Sequence, residues 1–502
     1  MGEFPEKKIK NLFILFIMNS PANCVYLYSS LLISIFLLFI FKLFYPYPNM
    51  VVDSYVYVKA AALDMGANSF PIGYSRFLQL FHVFTHSATA LVWFQYLFLE
   101  SACLLFFFTL LFFFKPHRLT RLILFIFFFV NPLFLYLANF IMADTVFIAL
   151  SLFWMIQLIW IIWQPRPWMI LTHALLIGIV FTIRYNALYY PFFASIVILF
   201  CRLRPWLKVS AIVLQFLLIG LFVWYTRMEM KALTGINQFS PFGGWKLAND
   251  ALYMYSHIYK TDHSPIPPKF RPLDSLVRSY FAVRHNLDEV GDLNSDHHGS
   301  FYMSWPLSPM HLYMNQVYGY DTIFQNFKKW GPMGAFYEQY GSWMIRSHPL
   351  DYGLYYLVPN LLRFAYPPAE IFMYLSPYHL RPDNIGEIAK SWFNLNTLTV
   401  PESYITARTT IMSFYPMCIT IVHLIFLMSF LYFSLFWRHR ALSREYRATI
   451  FFVGLLWLAD CLFNASASGI VMRYLIFSFI IEFSFTILLS DLFYNDALVK
   501  NL

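Results

Sequence analysis

Charged side chains are scarce in this chain. Asp, Glu, Lys and Arg make up 12% of its 502 residues, whereas a soluble globular domain carries about 25%. So little charge cannot cover a chain of this length in water, and the soluble classes fall away first. Cysteine is sparse too. Cys24, Cys103, Cys201, Cys418 and Cys461 stand far apart, with no C-x-x-C pair and no disulfide framework, so they say nothing about compartment. No Walker A loop and no G-x-G-x-x-G fingerprint occurs. That argues against an ATP-driven pump and against a nucleotide-sugar enzyme of the Rossmann kind. Tandem repeats and low-complexity tracts are also lacking.

Apolar sequence is abundant. Hydrophobic residues make up 59% of the chain and aromatics 21%, and several runs reach the ~20 residues that cross a bilayer. These runs predict an all-α polytopic integral membrane protein. Its spans are expected at 25–44, 88–114, 119–138, 145–163, 168–183, 187–201, 207–226, 411–437, 448–464 and 471–490. Basic residues gather in alternate loops: Lys115, Arg118 and Arg121; Arg166; Arg202, Arg204 and Lys208; then Arg438, Arg440, Arg444 and Arg447. This follows the positive-inside rule with both termini cytoplasmic. The net charge of +9 therefore belongs to membrane topology, and no nucleic-acid partner is expected. The start, MGEFPEKKIK, is basic and has no convincing cleavage site after it, so an uncleaved first span is expected rather than a signal peptide.

Three regions follow. Residues 1–226 form an N-terminal transmembrane module whose first outer loop is 45–87. Residues 227–410 form a mainly helical outer domain, with 351–369 re-entrant at the interface. Residues 411–502 form the C-terminal helices.

Asp53 follows the first span almost at once, at the cap of an amphipathic helix expected over 54–65 and stopped by Gly66. A carboxylate there either caps the helix or, partly desolvated, acts as a general base. Asp144, in Asn139-Phe140-Ile141-Met142-Ala143-Asp144-Thr145, admits the same two roles; an ionisable group at membrane depth is a functional candidate. Arg184 and Arg473 break the charge rule at the outer ends of spans. Either they snorkel to headgroups, or they grip a phosphate through bidentate hydrogen bonds. In the long loop, Asp292–His298 and His311 carry the residue types that bind a divalent cation, and also those that solvate an exposed loop. Phe242-Gly243-Gly244-Trp245 is expected to be a turn, with its tryptophan structural or available to stack on a sugar.

The segments VVDSY around Asp53, Phe70-Pro71-Ile72-Gly73-Tyr74, NPLFLYLANFIMADTVFIALSLF around Asp144, RYNALYYPF and MRYLIF resemble the GT-C superfamily of polytopic glycosyltransferases, which includes protein mannosyltransferases and aminoarabinose transferases. The resemblance covers 20–225 and, more weakly, 448–490; the middle loop matches no part of it. Many members carry a paired acid in the first loop, whereas Ser54 follows Asp53 here. The resemblance implies a sugar donor on polyprenyl phosphate and a glycan, lipid or protein acceptor. Asp53 would take the proton of the acceptor hydroxyl, with inversion at the anomeric carbon. Arg184 and Arg473 would hold the lipid phosphate. Asp144 would orient the acceptor, position an arginine or, with Asp53, bind Mg²⁺ or Mn²⁺. Tyr55, Tyr74, Arg76 and Asn139 are further side chains expected to meet substrate.

Two other functions compete. A polysaccharide polymerase or ligase would also suit two arginines, with a diphosphate as leaving group. A transporter or flippase of lipid-linked saccharides would place charge at mid-depth and often show internal repeats. Lys42, Arg184, Asp460 and Arg473 instead fall near span ends, and Asp460, the exception nearest the core, is expected to pair with an arginine. A purely structural subunit would leave the outer acids and arginines unexplained. The expected location is the bacterial inner membrane, with the active site extracytoplasmic.

Overall fold

The computed structural model describes residues 6–288, 299–319, 327–369, 387–395, 402–436, 442–467 and 469–500. The chain is helical, with no strand among the described residues. The first part runs α1 (Glu6–Met18), α2 (Pro21–Phe44), α3 (Val52–Ala62), α4 (Gly73–Phe84), α5 (Ala88–Phe114), α6 (Arg118–Phe129), α7 (Pro132–Ala138), α8 (Ala143–Trp163), α9 (Trp168–Ile183), α10 (Tyr190–Phe200) and α11 (Pro205–Thr234). Next come α12 (Pro241–Ile258), α13 (Arg271–Asp288), α14 (Phe301–Ser304), α15 (Pro309–Tyr318), α16 (Phe327–Ser347), α17 (Pro349–Tyr352) and α18 (Val358–Ala365). The last are α19 (Glu387–Phe393), α20 (Glu402–Ser413), α21 (Tyr415–Phe436), α22 (Arg444–Ala467) and α23 (Met472–Lys500).

Eight helical stretches among the described residues are long and apolar enough to cross a membrane, and the protein is a polytopic helical membrane protein. Two of the ten expected spans fall short. Those at 168–183 and 187–201 are α9 and α10, of 16 and 11 residues, below the ~20 needed for a perpendicular crossing. The span expected at 207–226 is longer than its apolar run. Pro205 opens α11, and the helix continues to Gly235, which stops it in the left-handed conformation (φ 79°). At Asn131-Pro132 the third span breaks into α6 and α7, because Pro132 has no N–H to continue the ladder and the Asn131 side chain caps the new start.

The segment from α12 to α16 builds its own hydrophobic core. Phe242-Gly243-Gly244-Trp245 is not a turn: it lies in the first turns of α12. A Cβ on Gly244 would overlap the Gly334 carbonyl of α16, and one on Gly341 would lie 2.7 Å from the Leu247 carbonyl carbon. Small residues here let two backbones touch. Trp245 is fully buried, stacks on Trp330 at 5.2 Å and donates to its carbonyl at 2.9 Å, so it is a core residue and not a sugar platform. His311 is buried against Trp245, with Nε2 2.7 Å from the Met303 carbonyl, which removes it from any loop metal site. Asp292–His298 lie outside the described residues.

The stretch 349–365 is helical, with a π turn between α17 and α18, and packs against α21 and α22. Asn360 donates to the Ala465 carbonyl at 3.1 Å, Thr420 to that of Ala365 at 2.7 Å, and Phe364 stacks on His423.

Acids inside the apolar helices are more numerous than the sequence suggested. Glu100 accepts from Ser34 at 3.1 Å, and Glu482 pairs with His423. Among the described residues no arginine pairs with Asp460; it accepts from Tyr189, Ser478 and Asn464. The expectation that Asp460 is the exception nearest the core therefore missed Glu100 and Glu482, since the hydropathy of α5 and α23 masks single acids whose partners lie on other helices.

Gly244→Ala is expected to destabilise the α12–α16 domain by about 1–3 kcal/mol through overpacking, measured as a lower denaturation midpoint of the detergent-purified protein. Burial pushes the Asp250 carboxyl up to about 6, although Lys246 beside it pulls the other way. A raised carboxyl pKa means that the folded domain keeps a proton the unfolded chain has lost. The domain therefore loses stability as pH rises from about 4 to 6, and Asp250→Asn should flatten that slope in a pH series of melting curves.

Candidate active site

Two carboxylates and two guanidinium groups meet at one end of the bundle. Asp53 and Asp144 each occupy the first turn of a helix, α3 and α8, where the helix dipole favours negative charge. Arg184 stands just past the C-terminus of α9, where the dipole favours a cation. Arg473 is the exception, a cation in the first turn of α23, and the carboxylates offset that. Its Nη1 donates to Asp53 at 3.0 Å and lies 3.9 Å from Asp144. Arg184 pairs with the other oxygen of Asp144.

Neither carboxylate caps its helix. The backbone N–H of Val51 donates to the Ser54 hydroxyl at 3.0 Å, so α3 starts at Val52 rather than at residue 54 and Asp53 is left to face Arg473. The arginines do not snorkel. Their side chains are 14% and 10% exposed, and Asp144 is 5% exposed, while Asp53 is the most open of the four at 28%.

Neighbouring segments hold this register. Asn49 and Phe140 form an isolated parallel bridge: the Asn49 N–H donates to the Asn139 carbonyl at 2.8 Å, and the Ile141 N–H to that of Asn49 at 3.1 Å. The bridge ties the loop before Asp53 to the turn before Asp144. Asn139, expected to touch substrate, is instead fully buried in this brace, accepting from Lys42 and donating to the Tyr47 carbonyl, both at 3.1 Å. Tyr74 is also structural. Its hydroxyl donates to Gln95 at 2.7 Å, and Gln95 donates to the Ala138 and Phe140 carbonyls. Gly73 lets α4 lie directly on the Thr182 backbone, two residues before Arg184. Tyr55, two positions after Asp53, does not share its face of α3.

Beside the charges lies a largely apolar cavity of about 450 Å³, lined by Phe77, Phe94, Phe98, Val146, Leu150, Ile183 and Phe222 among others, with Arg76, Thr182 and Tyr225 as its polar contributors. Helices α8 and α9, which carry Asp144 and lead into Arg184, supply Val146, Leu150, Ile179, Thr182 and Ile183 to the cavity lining. Arg76 is apart from the other charges and pairs with Asp64 and Gln79.

The chain matches no protein-family model, no curated protein and no solved structure.

Two aromatic residues of the site were not singled out from the sequence. The Tyr474 ring takes Arg184 on its face at 4.9 Å and Arg473 at 5.1 Å. Tyr57, one turn after Asp53, lies within electrostatic reach of all four charges. Its i, i+4 spacing from Asp53 was the available signal. The donor set does not fit a divalent cation, because each carboxylate already has a guanidinium against it, where a cation would sit. Among the described residues no group of three or more His, Cys, Asp or Glu could hold a metal.

Asp144→Ala should cost about 3–5 kcal/mol, because it strands the buried Arg184 charge. Asp144→Leu with Arg184→Met should recover much of that loss without restoring activity. Melting midpoints and turnover of the three proteins check this.

Proposed function

We propose that the protein is an inverting glycosyltransferase of GT-C type that moves a sugar from a polyprenyl-phosphate donor to an acceptor hydroxyl on the extracytoplasmic side of the membrane. The observation that carries this reading is the junction of two chemistries. A pair of arginines is braced by carboxylates, and α8 and α9, at whose ends Asp144 and Arg184 stand, also wall an apolar slot, which suits a ligand that is anionic at one end and hydrocarbon at the other.

The exposures divide the roles. Asp53, the most open carboxylate, is the base. Asp144, nearly closed off and bonded to Arg184, is a positioning residue. Arg184 spends Nη1 on Asp144 and makes no other hydrogen bond among the described residues, which leaves Nε and Nη2 for a phosphate. In the reaction, Asp53 accepts the proton of the acceptor hydroxyl while that oxygen attacks the anomeric carbon from the face opposite the phosphate. The bond from that carbon to the phosphate oxygen breaks, and its electron pair stays on the lipid phosphate beside the arginines. A donor phosphate also competes with Asp53 for Arg473, so donor binding frees the base as it fills the site.

Asp53→Asn, folded and inserted normally, is expected to lower transfer from radiolabelled polyprenyl-phosphate sugars by about 10²–10⁴-fold, the usual contribution of a general base. Full activity in that variant would remove Asp53 from the mechanism. Turnover of lipid diphosphate donors alone would move the reading to a polymerase or ligase.

A further inference from the structure

Tyr57 stands four residues after Asp53 on α3 and so shares its face. The residue is 7% exposed. Its ring lies edge-on to Tyr74 at 4.9 Å and tilted by 30° to Phe70 at 5.3 Å, and Tyr74 is itself fixed by Gln95. Most buried tyrosine hydroxyls find a hydrogen-bond partner. Several tyrosines of the bundle follow this rule: Tyr45 meets Tyr136 at 3.2 Å, Tyr190 meets Ser151 at 2.9 Å and Tyr189 meets Asp460 at 2.9 Å. The Tyr57 hydroxyl makes no hydrogen bond among the described residues, and it is not among the hydroxyls sealed from water. It nevertheless lies within electrostatic reach of Arg184, Asp53, Asp144 and Arg473.

Both carboxylates already accept from arginines. What two guanidinium groups and one neutral O–H donor have in common is an acceptor with several oxygens. We propose that Tyr57 is a catalytic residue of this site, its hydroxyl donating a hydrogen bond to the phosphate oxygen that leaves the sugar. This rests on the transferase reading of the same charges.

The proton balance is simple. The acceptor's proton goes to Asp53, the electron pair of the broken bond goes to the phosphate oxygen, and Tyr57 keeps its proton throughout. Burial holds the phenol above its ordinary range, with Arg184 pulling the other way, so it remains a donor at any working pH. A fixed donor aimed where charge develops costs no reorganisation during the reaction.

The test compares full-length wild type with Tyr57→Phe, which keeps the ring and its packing. Five quantities are measured: binding of sugar-free polyprenyl phosphate, kcat with saturating donor, its pH profile, KM for the acceptor, and the melting midpoint. The expected result is a kcat lower by about 10²-fold, weaker polyprenyl-phosphate binding, and an unchanged acceptor KM, pH profile and melting midpoint. Unchanged kcat and lipid-phosphate affinity would overturn the proposal. A fall in kcat that tracks a lowered melting midpoint would also overturn it, by making the hydroxyl structural. Failure of wild type to bind any polyprenyl phosphate or transfer any sugar would reject the transferase reading itself, and this role with it.

Discussion

Arg473 is the residue on which the site turns. It places a positive charge in the first turn of a helix, against the dipole and largely out of water. Such a charge is tolerated only with anions at contact distance, and those anions come from the far end of the chain: Asp53 is 420 residues away. The pair therefore requires α23 to lie beside α3 and α8, and the loops carrying Asp53 and Asp144 must stay in register. The Asn49–Phe140 bridge, the Lys42–Asn139 contact and the Tyr74–Gln95 brace are how that register is kept.

With two acids and two arginines the cluster is formally neutral, so under the proposed function an arriving phosphate would not meet a bare positive field. It would exchange with a carboxylate already in place. Asp53 would yield most easily, since its side chain is the most exposed and its helix start is held by Ser54 rather than by the carboxylate. Asp144 is enclosed against Arg184. Two carboxylates with the same position in their helices thus differ in exposure, and the roles proposed for them differ accordingly.

Deeper in the bundle, single acids serve another purpose. Between apolar helices in lipid the hydrophobic effect gives little drive to association, and polar contacts and close packing matter more. Glu100 with Ser34, Glu482 with His423, and Asp460 with Tyr189 and Ser478 each join different helices. Asp460 and Glu482 tie α21, α22 and α23 together, and α23 carries Arg473 to the site.

The run lengths and the distribution of Lys and Arg were enough to determine a helical membrane protein, because hydrophobic thickness alone sets the length of a span. The broken charge rule at Arg184 and Arg473, and the lone acids at Asp53 and Asp144, marked out the four charges that meet. Their pairing was not legible, since residues 40 to 420 positions apart meet only through helix packing. The same limit explains why Asn139 and Tyr74 were read as substrate contacts: a polar side chain in a turn looks alike whether it faces a ligand or braces a neighbour. It also explains the passing over of Tyr57 for Tyr55. Gly244 lies in a helix because α16 comes close enough to need it, although local sequence there suggests a turn. Composition and charge determined the class of molecule and its charged candidates. Tertiary contact decided which of them face one another, because burial and partnership belong to packed surfaces rather than to positions in a chain.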